Sequence, residues 1–199
     1  MNKKKLRDAL KLVGAIICSP IYLPHFLLYL GSNRKDYIIS DIAKNRKDIS
    51  LNLGNNLNLL YLLHNNSYYR TLFYYRIGKG ISSLISWYRP GNRYFNISSS
   101  TKIGKGVSLY HPYGTIINAE SIGDNFSCLQ LTTLGGSYKG RPIIGNNVSL
   151  AAHVVVVGNV KIGNNVEVGA GSVVVKDIPD NVLAVGNPAK PVREREVTP

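Results

Sequence analysis

From Ile144 onward an aliphatic residue returns every six positions, at Ile144, Leu150, Val156, Ile162, Val168 and Val174, and glycine follows at Gly145, Gly163 and Gly169. A six-residue period matches neither a helix face nor the alternation of a strand pair, and it predicts stacked coils of short strands. In such a coil the chain turns a corner every six residues, sends one aliphatic side chain into a narrow interior, and leaves glycine or asparagine to take the tight corner dihedrals. A single coil would leave its backbone edge unpaired and its interior open. The next coil, about 4.8 Å away, supplies both needs.

The same phase is visible earlier at Ile103 and Leu109. It slips through His111 to Thr115 and is expected to resume at Ile116, Ile122, Cys128 and Leu134. A second interruption spans Gly135 to Pro142, in LGGSYKGRPIIG, where glycines and a serine predict a short excursion from the coil. Insertions on a regular solenoid often build its binding face. The repetitive part runs from about residue 100 to 178, enough for four to five coils of three six-residue sides each.

With 199 residues and 44% hydrophobic content the chain can bury a real core in one or two domains. Cys18 and Cys128 form no disulfide framework and no metal-ligand spacing, and Cys128, at an inward repeat position, reads as a small buried hydrophobe. The formal charge of +13 implies attraction to acidic lipid headgroups, a phosphorylated ligand or another polyanion. Nucleic acid is not expected as a partner, because no Cys/His finger or aromatic RNA-binding strand accompanies the scattered lysines.

Residues 12–33 contain no Asp, Glu, Lys or Arg, whereas Lys3, Lys4, Lys5, Arg7 and Lys11 precede them and Arg34 and Lys35 follow. Their length is barely sufficient to span a bilayer, and Pro20, Pro24 and His25 interrupt them. The preferred reading is a broken hairpin or an interfacial helix pair bent at the prolines and held by basic flanks, so that residues 1–35 make a peripheral membrane contact. Packing against an oligomer and a true span are the alternatives. Residues 36–49 predict a mixed-charge helix, and two further apolar helical stretches divide at His64–Ser67 and end at Pro90. Tyr68, Tyr69, Tyr74 and Tyr75 are read as packing residues rather than stacking platforms. The expected organisation is a helical, membrane-associating region over 1–95, a coiled β domain over 96–192 and a tail over 193–199.

Among the four histidines, His25 lies in the apolar run and His64 at a helix break, with no motif around either. His111 falls at the slip in the repeat, between Tyr110 and Pro112, which places a titratable imidazole on an irregular edge. An imidazole there can take a proton from a hydroxyl or amine near neutral pH, and a corner or interface role is the alternative. His153 falls on a regular coil and reads as structural. Glu120 and Asp124 follow His111 closely enough to lie near it across a coil. Lys176 and Lys190, beside glycine- and proline-shaped turns, offer charge to a phosphate-bearing cofactor.

Taken together, YRIGKG at 75–80, TKIGKGVSL at 101–109, HPYGTII at 111–117, SIGDNFSCLQLTTLGG at 121–136, the repeats from IIGNNVSL onward, GAGSVVVKDIP at 169–179 and AVGNPAK at 184–190 resemble the hexapeptide-repeat acyltransferases, in particular their serine acetyltransferase-like branch. The resemblance covers about residues 70–192. It implies a mainly β fold, a left-handed parallel β-helix behind an α-helical N-terminal region, and a homotrimer with sites in subunit grooves. It also implies acetyl transfer from acetyl-CoA to a hydroxyl without a covalent enzyme intermediate and without a metal, with the histidine at His111 as general base. By the same resemblance, acetyl-CoA is contacted by Thr133, Leu134, Gly135, Gly136, Ala151, Ala152, Gly169, Ala170, Lys176 and Lys190.

The departures from that branch bear on the acceptor. Asn96-Ile97-Ser98, Tyr110-His111 and Gly140-Arg141-Pro142 stand where serine acetyltransferases usually show aspartate-isoleucine-histidine, aspartate-histidine and arginine-histidine-proline. An amide at Asn96 cannot stabilise an imidazolium by charge, so Asn96 would hold the ring by a hydrogen bond or Glu120 would substitute. Tyr110 removes the carboxylate expected to grip the amino group of free serine, a loss of several kcal/mol in recognition. Tyr110, Tyr113 and Arg141 are therefore the candidate acceptor contacts. With the apolar, basic N-terminus, these departures favour O-acetylation of a sugar hydroxyl in bacterial capsule or surface polysaccharide synthesis, on a glycan or lipid-linked glycan at the cytoplasmic face of the inner membrane. Serine O-acetylation in cysteine biosynthesis and a non-catalytic trimeric scaffold are the alternatives.

Overall fold

A computed structural model describes residues 2–194 of the chain, which divides into two compact units, Met1–Asn92 and Arg93–Pro199.

The second unit is a left-handed β-solenoid in which every six-residue side makes one short strand. The first coil consists of β1 (Phe95–Ile97), β2 (Lys102–Ile103) and β3 (Ser108–Tyr110), and the second of β4 (Thr115–Ile117), β5 (Ser121–Ile122) and β6 (Ser127–Leu129). The third has β7 (Thr133–Gly135), β8 (Ile143–Ile144) and β9 (Ser149–Leu150), and the fourth β10 (Val155–Val157), β11 (Lys161–Ile162) and β12 (Glu167–Val168). The fifth begins at β13 (Val173–Val174), passes a bridge at Ile178, and closes with β14 (Val182–Gly186), against which β15 (Ala189–Glu194) returns antiparallel. Three parallel sheets result: β1-β4-β7-β10-β13, β2-β5-β8-β11, and β3-β6-β9-β12-β14 with β15 on its edge. Arg193 and Glu194, assigned to a tail by sequence, belong to β15, and the remainder of that tail lies outside the described residues.

The hexad positions Leu150, Val156, Ile162, Val168 and Val174 are all fully buried, as are Cys128 and Leu134. A second buried column, two residues earlier on each side, holds Phe126, Val148, Val154, Val166 and Ser172. Burial pushes the Cys128 thiol up to about 12, consistent with an inert packing role.

One detail differs from the sequence reading. After the slip at His111 the inward residue is Ile117, fully buried, while Ile116 is 48% exposed. Both are aliphatic, and the slip inserts two residues before Ile117 while the next side is one residue short, so counting back from Ile122 selects the wrong one of the pair. As expected, glycine and asparagine take left-handed corner dihedrals, Gly106, Gly114 and Gly171 with φ of 73°, 65° and 71°, and Asn125, Asn147, Asn165 and Asn181 with φ of 58°, 56°, 56° and 58°. These side chains also form a ladder, each amide donating to the next at 3.0, 2.8 and 2.8 Å. Gly145 and Gly163 serve close approach instead: a Cβ at Gly145 would stand 2.6 Å from the Gly163 carbonyl oxygen, and one at Gly163 would stand 2.7 Å from the Asp180 nitrogen.

The first unit is helical: α1 (Lys3–Ile17), a 3₁₀ turn (Ser19–Tyr22), α2 (Leu23–Gly31), α3 (Lys35–Asn45), α4 (Asn55–Asn65), α5 (Ser67–Ile77) and α6 (Lys79–Ser86). Pro20 and Pro24 bracket the break between α1 and α2, which is where the bend was expected. Its core gathers Tyr22, Ile38, Ile42, Leu59, Leu63 and Phe73. Tyr69 and Tyr74 are buried in the same core, in keeping with a packing role.

Three polar contacts pin these helices. Asp8 accepts from the Ser50 amide at 2.9 Å, the Ser50 hydroxyl at 2.7 Å and the Tyr61 hydroxyl at 3.3 Å. Burial would raise its carboxyl, but the Ser50 and Tyr61 donors outweigh that effect and hold it below the usual range. Asp41 and Arg76 form a buried ion pair, with Nε to Oδ2 at 2.8 Å and Nη2 to Oδ1 at 3.2 Å, and the guanidinium lies over the rings of Tyr37 and Tyr75. His25 Nε2 lies 2.9 Å from the Tyr74 hydroxyl, whose own hydrogen is donated to the Arg89 carbonyl, so Nε2 carries the imidazole proton.

Candidate active site

The corner that joins the third sheet to the first carries the first slip in the hexad, and His111, Ala151, Ala152, Gly169 and Ala170 among the sequence candidates lie along it. His111 occupies it between β3 and β4 with φ of 49°, a left-handed conformation in which histidine is among the better-tolerated residues. The next coils place Leu131 (φ 58°), His153 (φ 60°) and Gly171 (φ 71°) at the equivalent corner. Inter-coil hydrogen bonds hold this column in register. The Leu131 amide donates to the Tyr113 carbonyl at 2.8 Å, the His153 amide to Gln130 at 3.0 Å, and the Gly171 amide to Ala152 at 2.9 Å.

The turn around His111 is fixed locally. The Tyr113 amide donates to the His111 carbonyl at 2.6 Å, Pro112 is buried, and Gly114, at φ of 65°, packs so tightly that a Cβ would meet Leu131 Cδ2 at 2.5 Å. His111 is exposed, as are its chain neighbours Tyr110 and Tyr113, and the Tyr113 ring lies tilted by 46° against Tyr94 with centroids 5.0 Å apart.

Of the residues expected to orient His111, Asn96 is on β1, exposed and in register with Ile116. Glu120 stands at the next corner, before β5, and its carboxylate is taken by Arg141, with Nη2 to Oε2 at 2.6 Å. Arg141 also donates to Ser100 Oγ at 2.6 Å and Asn118 Oδ1 at 3.4 Å. The guanidinium therefore ties three successive coils at one corner. It was expected to face an acceptor, and its donors are largely committed within the solenoid.

The candidate cofactor residues separate into groups. Ala151 and Ala152 follow β9, and Gly169 and Ala170 follow β12, so all four lie on the corner column that begins at His111. The Ala151 amide donates to Val168 at 2.9 Å and the Gly169 amide to Ala184 at 2.9 Å, which stacks these small residues directly over one another. Three coil steps separate His111 from this end of the column, about 14 Å at the usual strand spacing. Thr133 and Gly135 are half-buried on β7, and Gly136 opens the excursion that Arg141 closes. Leu134 fills the solenoid interior and presents no side chain to a surface site. Lys176 and Lys190 are exposed, the first after β13 and the second on β15. Leu131 and His153 were not singled out for the site by sequence. Their positive φ is the shared signal, and it is invisible until the corners are aligned.

Residues 141–176 match the family model for the bacterial transferase hexapeptide (six repeats). Serine acetyltransferase 4 of Arabidopsis thaliana is 43% identical over 100 residues, 48% of this chain and 28% of that protein. WcaB of Escherichia coli strain K12, a candidate colanic acid biosynthesis acetyltransferase, is 39% identical over 100 residues, 48% of this chain and 62% of that protein. A solved serine acetyltransferase in complex with CoA aligns with a TM-score of 0.65 at 25% identity, over 83% of this chain and 72% of that one. The chain thus spans under a third of the plant relative's length and under two thirds of the bacterial one's. With the five-coil register, these likenesses carry one conclusion: the chain folds as a hexapeptide-repeat solenoid similar to the acyltransferases of the serine acetyltransferase-like branch, with WcaB among its relatives.

Proposed function

We propose that the protein is an acetyl-CoA-dependent O-acetyltransferase that uses His111 as general base. The observation that carries this reading is the column at one corner of the solenoid, where an exposed histidine stands three coil steps, about 14 Å, from the small residues Gly169 and Ala170, with Ala151 and Ala152 one coil nearer. Such a strip suits a long, thin thioester arm whose reactive end lies at the histidine. His111 takes the proton from the acceptor hydroxyl as its oxygen attacks the thioester carbonyl. The tetrahedral intermediate then expels the CoA sulfur, which recovers the proton from the imidazolium. Thr133, Gly135, Gly136, Ala151, Ala152, Gly169, Ala170, Lys176 and Lys190 are assigned to acetyl-CoA, the two lysines through its phosphates. The exposed corner and the unpartnered His111 ring favour a homotrimer in which a neighbouring copy completes the groove.

The comparisons weigh toward serine as acceptor, since relatives named serine acetyltransferases match at higher identity than the colanic acid protein. Free serine is therefore the first acceptor to test. A second reading, a sugar hydroxyl of a bacterial surface glycan, is favoured by Tyr110 at the place of a serine-gripping carboxylate and by the withdrawal of Arg141 into its corner.

CoA thiol release should be followed with serine and with a panel of nucleotide-sugar, lipid-linked and polymeric glycans, with mass spectrometry of the products. Turnover on serine supports the first acceptor, and turnover on glycan alone the second. Acetyl-CoA that neither binds nor turns over with any of them contradicts the enzymatic reading.

A further inference from the structure

Leu6, Leu10, Val13 and Ile17 are all exposed on α1, and at about 100° per residue they fall within a sector of about 60°. The buried residues of that helix, Asp8 and Ala15, lie on its opposite side. Leu23, Leu27 and Leu30 repeat the arrangement on α2, opposite the buried His25 and Tyr29. Leu10 and Leu27 are 65% and 60% exposed. Two consecutive helices therefore present aliphatic stripes outward, opposite faces that bury Asp8 on α1 and His25 and Tyr29 on α2, unlike the apolar-inward face of an ordinary soluble helix.

The charges around these stripes have one sign. Asp8 is the single acidic residue before Asp36, and its carboxylate points inward to Ser50 and Tyr61. Lys3, Lys5 and Arg7 flank the α1 stripe, and Arg34 and Lys35 follow α2. Among the described residues no single helix is long and apolar enough to cross a membrane, and the pair is bent by 71° at the break between Ile17 and Ser19. A second copy laid face to face on this surface would oppose like charges, whereas an acidic lipid surface would neutralise them.

We propose that the outer faces of α1 and α2 dock in the interface of an anionic phospholipid bilayer, with the leucine stripes among the acyl chains and the basic side chains at the headgroups. The docking is independent of the acceptor and of the chemistry at His111.

The test is co-sedimentation of the full chain with phosphatidylglycerol–phosphatidylcholine vesicles and with phosphatidylcholine vesicles alone. Wild type is expected to sediment with the anionic vesicles, to be released by added salt, and to leave phosphatidylcholine largely unbound. Leu10→Gln with Leu27→Gln, and separately Lys3→Gln with Lys5→Gln, should each weaken binding by at least about tenfold without changing the melting temperature, since all are surface positions. Absence of wild-type binding, equal binding to both vesicle types, or unchanged binding by the leucine variant overturns the proposal. A fall in solution mass for the leucine variant, without vesicle binding by wild type, reassigns the face to a contact between copies.

Discussion

Arg141 Nη2 stands 2.6 Å from Glu120 Oε2, and the carboxylate nearest in sequence to His111 is thereby engaged at a different corner of the solenoid. Within the single chain Glu120 is held by Arg141, and an orienting role toward the imidazole is the matter its substitution tests. Glu120→Gln should accordingly leave the pH profile of acetyl transfer unshifted and cost no more than about 1 kcal/mol of stability, as befits a largely solvated pair. The profile and a urea titration check both. A displaced profile would show that the carboxylate reaches the base in the assembled enzyme.

The Asp41–Arg76 pair is of the opposite kind, because both side chains are almost wholly buried. Removing one partner strands the other charge in the core. Arg76→Met should destabilise the helical unit by about 3–5 kcal/mol, and Asp41→Asn with Arg76→Met together should recover a substantial part of the loss. Urea unfolding of the single and double variants measures the coupling.

His25 gives the helical unit a predictable acid response. Burial first, and then the nearby positive charges of Arg70 and Arg89, lower its pKa to about 4 from the ordinary 6.5. Its Nδ1 is buried without a partner, so protonation would place a charge where nothing receives it. The unfolded chain binds the proton first. Stability is therefore full above about pH 6.5 and is lost progressively as the pH falls toward 4, by up to about 3 kcal/mol. Urea midpoints between pH 7 and pH 4 should show this slope, and His25→Phe should flatten it whatever its effect at pH 7.

The corners offer a contrast between two residue types that look interchangeable in the sequence. A Cβ at Gly145 would collide with the backbone of the next coil at 2.6 Å, so Gly145→Ala should destabilise the solenoid by about 2 kcal/mol or more. Asn147 has φ of 56°, which glycine adopts freely. Asn147→Gly should cost only its two hydrogen bonds in the amide ladder, about 1–2 kcal/mol, while Asn147→Ala adds the left-handed backbone cost. Thermal melts of the three variants would rank them.

These corners also show what the sequence could and could not reveal. The inward column was legible because one aliphatic per six residues has a single geometric solution, and the helical segments because their apolar stretches end at Asn, Ser and Pro. The choice between Ile116 and Ile117 was not legible, since hydropathy cannot rank two isoleucines across an irregular turn. Whether glycine or asparagine bends the chain was also hidden, because it depends on backbone contacts between coils. The pairings of Arg141 with Ser100 and Glu120, and of Arg76 with Asp41, join residues 41, 21 and 35 positions apart, and no local pattern announces them. The slip in the repeat singles out His111 in the sequence, whereas the column of corners with positive φ that runs from it depends on the register between coils.

The most direct test of the account is acetyl-CoA-dependent thiol release by wild type and His111→Ala, run on the accepted hydroxyl substrate with circular dichroism and CoA binding measured in parallel. The account predicts a loss of about 10²-fold to 10⁴-fold in turnover with the fold and CoA affinity retained. Undiminished turnover in His111→Ala would contradict it and remove the base from this corner.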